Sequence, residues 1–388
     1  MKELELYIHI PFCVKKCNYC DFLSAPADEK SQSAYMEALK KEVSYYGKQF
    51  ADREISTIFI GGGTPSWVKA SYIEDLMREI YASFTIAKDA EISMECNPGT
   101  VTKEKLEIYK NAGINRLSMG LQSADDEELK NLGRIHTFEQ FLENFNLARE
   151  CGFTNINIDL MHGLPKQTVE KARETLEKVI ALNPEHISSY SLIIEEGTPF
   201  FDWYKEDLIL QENGETTKLL PKEDTLYQIE KMSQKYLAEH GYIRYEISNY
   251  AKKGFRCEHN IGYWQRKDYL GLGLGAASLI ENVRYSNIVD IEKYIMTVCS
   301  DCKAIREEND VLDKKAQMEE CMFLGLRMLE GVSKNTFAEA YGNSMEQIYG
   351  DVITKLEQEK LLINTADRIY LTDKGIDVSN YVLAHFLF

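Results

Sequence analysis

The sequence predicts an α/β fold: a partial (β/α)6 barrel of six parallel strand–helix units, followed by a C-terminal helical, winged-helix-like domain. Short apolar runs and amphipathic segments alternate from residue 4 to about residue 193. This alternation is typical of parallel βα units. Of the 388 residues, 44% are hydrophobic, which is enough for one large core and a smaller one. Because six units are visible and not eight, we expect the barrel to stay open.

Each predicted strand is a short apolar run bounded by turn residues. Helical periodicity fills the intervals between the strands, and Gly113 and Gly152 are expected to end two of these helices. The predicted strands are Leu4–Ile10, Ile55–Ile60, Glu91–Cys96, Arg116–Gly120, Asn155–Leu160 and His186–Leu192.

The regular alternation breaks after Thr198, where an acidic stretch covers residues 201–224. We predict a barrel over residues 1–205, a connecting region over 206–295 and a C-terminal domain over 296–388. In the last segment, two or three helices precede a short hairpin pattern and a final helix, which gives the winged-helix-like outline.

The charge of the chain argues against nucleic acid as a partner. The formal net charge is −17, and residues 313–388 carry 8 Lys and Arg against 12 Asp and Glu. A surface that binds phosphate backbones needs positive charge. No apolar run approaches the roughly 20 residues of a membrane span, and the first residues lack the apolar core of a signal peptide. We therefore expect a cytoplasmic protein.

Three cysteines follow the first predicted strand with the spacing Cys13-x3-Cys17-x2-Cys20. Three thiolates suit a [4Fe–4S] cluster whose fourth iron has no protein ligand, whereas structural zinc usually takes four protein ligands. Unrelated thiols are the other alternative. The remaining cysteines are expected to be unpaired thiols, and the close pair Cys299 and Cys302 is interpreted as incidental.

Polar and glycine residues are predicted at the carboxyl ends of several strands. The segment from Gly61 to Pro65 follows the second strand, and its glycines would let backbone approach a ligand. An arginine suits a carboxylate, and acidic or amide side chains suit an amino group and hydroxyls. The polar residues are Glu95 and Asp159 at the ends of the third and fifth strands, Gln122 after the fourth strand, and Arg134 in the connection that follows.

The cysteine spacing on the first βα loop resembles the radical S-adenosylmethionine superfamily, which cleaves this cofactor to a 5′-deoxyadenosyl radical. The segments YIHIPFC, GGGTPS, SMGLQS, LGRIHT and IDLMHGLP resemble the coproporphyrinogen oxidase-like branch. The resemblance implies that Cys13, Cys17 and Cys20 hold a [4Fe–4S] cluster. It also implies contacts to S-adenosylmethionine from Tyr7, Gly62, Gly63, Thr64, Glu95, Gln122, Arg134 and Asp159.

Two functions compete within this branch: oxidative decarboxylation of coproporphyrinogen III, and the binding and delivery of haem. The decarboxylating enzymes carry a further cysteine two positions after the third cluster ligand, where this chain has Phe22. The segment from His259 to Trp264 resembles the His-Asn-x-x-Tyr-Trp motif of HemW-type haem chaperones. In such a motif His259 could ligate iron, Asn260 could orient the imidazole, and Tyr263 and Trp264 offer apolar faces to a macrocycle.

One segment departs from the pattern, because many chaperones of this group have Gly-Ala-His where this chain reads Gly275-Ala276-Ala277. The sequence predicts a haem chaperone that uses a [4Fe–4S] cluster, S-adenosylmethionine and haem, with recipient apo-haemoproteins as partners. The alternatives are the oxygen-independent oxidase and another radical enzyme. Whether the chain is an enzyme, forms a homodimer, docks transiently on membranes, cleaves S-adenosylmethionine or binds haem covalently stays open.

Overall fold

The computed structural model describes residues 1–388, apart from the side chain of Glu308. A large sheet contains twelve strands. Six of them correspond to the predicted strands, whose ends differ from the prediction by at most six residues. The twelve strands are β1 (Lys2–Ile10), β2 (Arg53–Gly62), β3 (Thr85–Cys96), β4 (Arg116–Gln122), β5 (Ile156–His162), β6 (His186–Ser191), β7 (Ile243–Arg244), β8 (Asn249–Ala251), β9 (Tyr269–Leu272), β10 (Ala277–Ile280), β11 (Val283–Asn287) and β12 (Arg306–Val311).

Fifteen α-helices are assigned in the described chain, and the second and smaller sheet has three strands. These strands are β13 (Val332–Ser333), β14 (Leu362–Asn364) and β15 (Arg368–Leu371). The helices are α1 (Glu29–Gln49), α2 (Ala70–Ser83), α3 (Lys103–Asn111), α4 (Asp126–Asn131), α5 (Phe138–Glu150), α6 (Val169–Ala181), α7 (Pro199–Glu212), α8 (Glu223–Glu239), α9 (Glu258–Trp264), α10 (Ile291–Ser300), α11 (Lys314–Gly325), α12 (Lys334–Tyr341), α13 (Met345–Gln358), α14 (Asp373–Asp377) and α15 (Ser379–Ala384).

Strands β1 to β6 lie side by side in sequence order, and each pairs in parallel with the next. The predicted partial (β/α)6 barrel is therefore confirmed. Gly113 and Gly152 follow α3 and α5 with φ values of +95° and +82°, the left-handed conformation that ends helices. The carboxyl ends of the six parallel strands consequently meet at one edge of the barrel.

The two faces of β1 differ in polarity. Leu4, Leu6 and Ile8 alternate along the strand and lie in the main apolar core, whereas Glu5 and His9 point to the opposite face and are also buried. The interior of the barrel is thus lined partly by polar side chains, which need hydrogen-bond partners there.

The sheet extends beyond the six parallel strands at both edges. At one edge β9 pairs in parallel with β1, and β10, β11 and β12 follow in antiparallel order. At the other edge β8 pairs antiparallel with β6, and β7 pairs with β8. Strands of this one sheet come from both sides of the predicted domain boundaries at residues 205 and 295. The division into three domains stays a prediction from the sequence. The acidic stretch contains helix α7.

The C-terminal part has its own small sheet, in which β15 lies between β13 and β14 with antiparallel pairing. Helices α11 to α15 surround this sheet, and a separate apolar cluster runs from Met318 to Phe386. This arrangement confirms the predicted helical, winged-helix-like domain. All nine cysteines are free thiols. Among the described residues, no helix has both the length and the apolar character needed to cross a membrane.

Candidate functional site

A cavity of about 460 Å³ lies at the carboxyl ends of the parallel strands. This edge is where barrels and open α/β sheets place their ligands. At this edge the structure brings together the three cysteines of the first loop and seven of the eight residues predicted to contact S-adenosylmethionine. The residues of this set that line the cavity are Cys13, Cys17, Cys20, Gly62, Gly63, Thr64, Glu95, Gln122, Arg134 and Asp159.

The cysteine loop is fixed at its base and at its middle. At the base, the amide of Cys13 donates to the carbonyl of Ala25 at 3.2 Å. In the middle, the amide of Asn18 donates to the carbonyl of Leu132 at 2.9 Å, and its side-chain amide donates to the carbonyl of Asn131 at 2.9 Å. These bonds hold the loop over the cavity.

The donor set of the cavity suits an iron–sulfur cluster. The Thr64 hydroxyl lies 3.5 Å from the sulfur of Cys13, and the Arg134 guanidinium lies 3.6 Å from the sulfur of Cys17. Hydrogen bonds of this kind stabilise thiolates and tune clusters. Among the described residues, no three His, Cys, Asp or Glu side chains gather as ligands of a single metal ion. A cubane does not need such a group, because each thiolate binds a different iron.

The glycines at the end of β2 are required by β1 and the residues that follow it. Gly62 has φ of +108°, and a Cβ there would lie 2.5 Å from the ring of His9. A Cβ on Gly63 would lie 2.8 Å from the backbone of Phe12. The amide of Gly63 donates to the carbonyl of Ile10 at 2.9 Å. The glycines thus let the end of β2 lie directly against the start of the cysteine loop.

Two partly buried carboxyl groups face the cavity. Glu95 accepts a hydrogen bond from the amide of Gly62 at 3.0 Å, and Asp159 accepts from Ser118 at 3.1 Å and from Asn157 at 2.7 Å. Burial, together with the charge of Asp159, raises the pKa of Glu95 to about 7, and burial also raises the pKa of Asp159. A cationic ligand would favour their charged forms.

Arg134 is held by neighbouring oxygen atoms. Its Nη2 donates to the side-chain oxygen of Asn97 at 2.8 Å and to the carbonyl of Gly120 at 2.6 Å. The Asn97 amide donates in turn to the Thr64 hydroxyl at 2.8 Å. Gln122 has φ of +72° and accepts from the Tyr190 hydroxyl at 3.0 Å. This network connects the cysteine loop with β3, β4 and β6.

Sequence reasoning missed two of these residues. Asn97 directly follows β3, and Tyr190 lies near the end of β6. Both could have been found by the rule that identified Glu95, because both sit at carboxyl ends of parallel strands. Tyr7 differs from the rest of the predicted set, since it does not line the cavity. Its hydroxyl instead lies 3.0 Å from Nδ1 of His9, and its contact with S-adenosylmethionine stays a prediction.

The predicted haem motif lies away from this cavity, on α9. His259 is 1% exposed and sits beside Glu5 and Thr57, in the first halves of β1 and β2. Its Nδ1 lies 2.7 Å from the Thr57 hydroxyl, and its Nε2 lies 3.1 Å from the Tyr263 hydroxyl. Burial lowers the pKa of His259 to about 3, and Arg116 adds to this effect.

Both ring nitrogens of His259 are therefore engaged within the protein. The axial-ligand role expected of His259 is not available in this conformation, because iron would have to replace Thr57 or Tyr263. The ring also stacks on Phe59 at a centroid distance of 5.3 Å. Asn260 and Trp264 are partly buried, and Trp264 packs beside an apolar cluster that contains Ile261.

Sequence comparison agrees with the class that the barrel and the cysteine loop define. Residues 7–179 match the family model of the radical SAM superfamily, and residues 312–378 match that of the HemN C-terminal domain. The molecule is thus a radical S-adenosylmethionine protein by fold and by family, and this class uses a [4Fe–4S] cluster and S-adenosylmethionine.

Full-length relatives define the family more narrowly. The heme chaperone HemW of Lactococcus lactis is 37% identical over 386 residues, covering 100% of this chain and 98% of that protein. The heme chaperone HemW of Bacillus subtilis is also 37% identical, covering 98% of each chain. The chain belongs to the HemW family. In addition, it resembles the solved structure of the coproporphyrinogen III oxidase of Escherichia coli, with a TM-score of 0.83 and 25% identity, covering 99% of this chain and 90% of that one.

Proposed function

We propose that this protein binds haem and transfers it to recipient haemoproteins. The observation that carries this proposal is the likeness to haem chaperones over the whole chain at 37% identity. The side chain at position 22 supports it: Phe22 is 66% exposed beside the cysteine loop, where the resemblance expects a cysteine in the decarboxylating enzymes.

We further propose that Cys13, Cys17 and Cys20 hold the [4Fe–4S] cluster. When bound beside S-adenosylmethionine, such a cluster supplies the electron that cleaves the sulfonium in this superfamily. The protein's own part is to bind and orient. Thr64 and Arg134 donate toward the sulfur atoms of Cys13 and Cys17.

The remaining cavity residues form the proposed S-adenosylmethionine site. Arg134 carries the positive charge suited to the cofactor's carboxylate. Glu95 and Asp159 are partly buried and form no ion pair among the described residues, so they suit the ammonium group and ribose hydroxyls. Gln122, Gly62, Gly63 and Thr64 complete the set that lines the cavity. Tyr7, which does not line the cavity, is the eighth residue of the proposed site.

The proposed haem segment is His259, Asn260, Tyr263 and Trp264 on α9. Haem ligation by His259 requires one of its ring nitrogens to be released from Thr57 or Tyr263, and we propose that α9 leaves its place in the barrel to release it. Tyr263 would then lose its bond to the imidazole, and both aromatic rings would become available to the macrocycle.

An anaerobic haem titration of the cluster-reconstituted protein tests this proposal, with the Soret band as readout. We expect saturable, stoichiometric binding that weakens in His259→Ala by at least about tenfold, which corresponds to about 1.4 kcal/mol. The matched control is His240→Ala, which removes a surface imidazole that bonds the carbonyl of Tyr236. Absence of specific haem binding by the wild-type protein would overturn the proposal.

Oxidative decarboxylation of coproporphyrinogen III is the second candidate, favoured by the structural likeness to the Escherichia coli oxidase. Anaerobic incubation with coproporphyrinogen III, S-adenosylmethionine and a reductant would distinguish the two functions. Protoporphyrinogen formation that is lost in Cys17→Ser would establish the oxidase. We expect no such product.

A further inference from the structure

Helix α9 is held between the barrel and the C-terminal domain. On the barrel side, His259 bonds Thr57, and the Glu91 carboxylate accepts the amide of Glu258 at 3.0 Å. On the other side, the C-terminal domain covers the end of α9: the guanidinium of Arg327 lies 4.4 Å from the centre of the Trp264 ring. The helix that carries the proposed haem segment is thus covered on two sides.

A buried ion pair fastens the C-terminal domain beside α9. Glu320 on α11 is 5% exposed, and its two carboxylate oxygens bind different arginines. Arg266 Nε, two residues after α9, lies 2.9 Å from Oε2, and Arg284 Nη1 on β11 lies 2.6 Å from Oε1. One carboxylate of the C-terminal domain therefore binds two separate segments, the residues that follow α9 and strand β11.

A short backbone bridge closes the same interface. Glu246 and Met328 face each other in an antiparallel bridge, and the amide of Leu329 donates to the carbonyl of Tyr245 at 3.0 Å. Met328 and Tyr245 also belong to the apolar cluster of α9 that includes Ile261. Movement of α9 away from the barrel would collide with these residues.

In the structure the C-terminal domain covers α9, and we call this arrangement closed. Several buried polar atoms around α9 lack a hydrogen-bond partner in it. They are both carboxylate oxygens of Glu5, Nε1 of Trp264 and Nε of Arg327. A buried polar group without a partner destabilises the arrangement that buries it. The closed arrangement therefore contains groups that would gain partners on exposure, which lowers the free energy needed to open it.

We propose that the C-terminal domain is a clamp over the haem site: release of Glu320 and Arg327 from Arg266 and Trp264 frees α9 to present His259 to haem. This inference rests on the proposed function and adds to it the element that controls access. Haem reaches its site only after the domain moves, so opening precedes binding.

Stopped-flow measurement of haem association, by anaerobic Soret absorbance, tests the clamp. In the wild-type protein the observed rate should level off at high haem concentration, because the opening step becomes limiting. Glu320→Gln should raise this limiting rate about tenfold, which corresponds to about 1.4 kcal/mol. The matched control is Glu346→Gln, which removes an ion pair to Lys334 inside the C-terminal domain and should leave the rate unchanged.

A disulfide lock provides the opposite test. In an antiparallel bridge of this type the Cα atoms lie about 4.5 Å apart, within the range that disulfides span. The double variant Glu246→Cys with Met328→Cys is treated with oxidised glutathione after cluster reconstitution, and each single variant serves as its control. Haem binding should be blocked in the oxidised double variant and restored by dithiothreitol.

The outcomes separate the clamp from the proposed function. If no variant and no wild-type protein binds haem, the proposed function fails. If the locked double variant binds haem at the wild-type rate, the clamp is wrong while haem binding stands. The measurement on the disulfide-locked variant tests the clamp even if Glu320→Gln does not fold.

Discussion

At Gly63 a single methyl group is expected to disturb the proposed cluster site. A Cβ at this position would lie 2.8 Å from both the N and O atoms of Phe12, and backbone cannot move aside as a flexible side chain can. Gly63→Ala should therefore shift the start of the cysteine loop, at a cost of about 1–3 kcal/mol. We expect reconstituted Gly63→Ala to retain less than half of the wild-type iron and sulfide per chain. Gly350→Ala on α13 is the control, because its added Cβ meets nothing within 4 Å; equal iron contents in the two variants would contradict the argument.

At the scale of single residues, the sequence was sufficient to place side chains toward the carboxyl ends of the parallel strands. Glu95 and Asp159 could be assigned to one cavity because parallel strands share an edge, and the structure places them there together with Arg134, which follows α4. It was not sufficient for His259, whose environment depends on Thr57, about two hundred residues earlier, and on Tyr263. A motif indicates which residues contact a ligand, but it does not show whether the rest of the chain buries them.

The N-terminus of helix α9 is capped by a side chain from another element, and this cap can be tested directly. Glu91 on β3 accepts the amides of Glu258 at 3.0 Å and His259 at 3.4 Å, so it replaces the usual cap from the helix's own first residue. Glu91→Ala should remove about 1 kcal/mol from the local stability. Amide hydrogen exchange in residues 258–264 should then be about fivefold faster, as mass spectrometry of peptides would show. Asp290→Ala, which removes the cap of α10, should speed exchange only in that helix; unchanged exchange in α9 would show that Glu91 does not hold it.

Some helices and strands can be predicted from the local sequence pattern. Others form only because they pair with strands that are distant in the sequence. Strands β1 to β6 have apolar runs long enough to be recognised and parallel neighbours in sequence order. Strand β9 has four residues, and it is a strand because Gly271 pairs with Tyr7 of β1. Strand β7 has two residues and exists through its pairing with β8. No local periodicity distinguishes such short segments from loops, so the extension of the sheet at both edges could not be predicted.

Across the whole molecule, Glu42 connects parts of the chain that lie far apart in sequence. This carboxyl group on α1 accepts hydrogen bonds from the amide of Gly273, from the side chain of Asn287 on β11 and from the hydroxyl of Tyr294 on α10. Tyr35 and Arg306 also lie near it. Burial raises the pKa of Glu42 to about 7, although its three hydrogen bonds lower it in part.

The raised pKa predicts that stability falls as the pH rises toward 8. Because the folded protein holds the proton of Glu42 more tightly than the unfolded chain, the stabilisation is complete below the ordinary pKa of about 4.5 and is lost as the pH passes through about 7. Between pH 6.5 and 8.5 this group should remove about 1 kcal/mol from the free energy of unfolding. The histidines with lowered pKa, such as His162, act in the opposite direction, but only below about pH 6.5. Urea unfolding of Glu42→Gln should therefore show a smaller decline across this range than the wild-type protein. Glu37→Gln removes a 63% exposed carboxylate from the same helix and should decline as the wild type does; parallel curves for wild type and Glu42→Gln would mean that Glu42 is already ionised at pH 6.5.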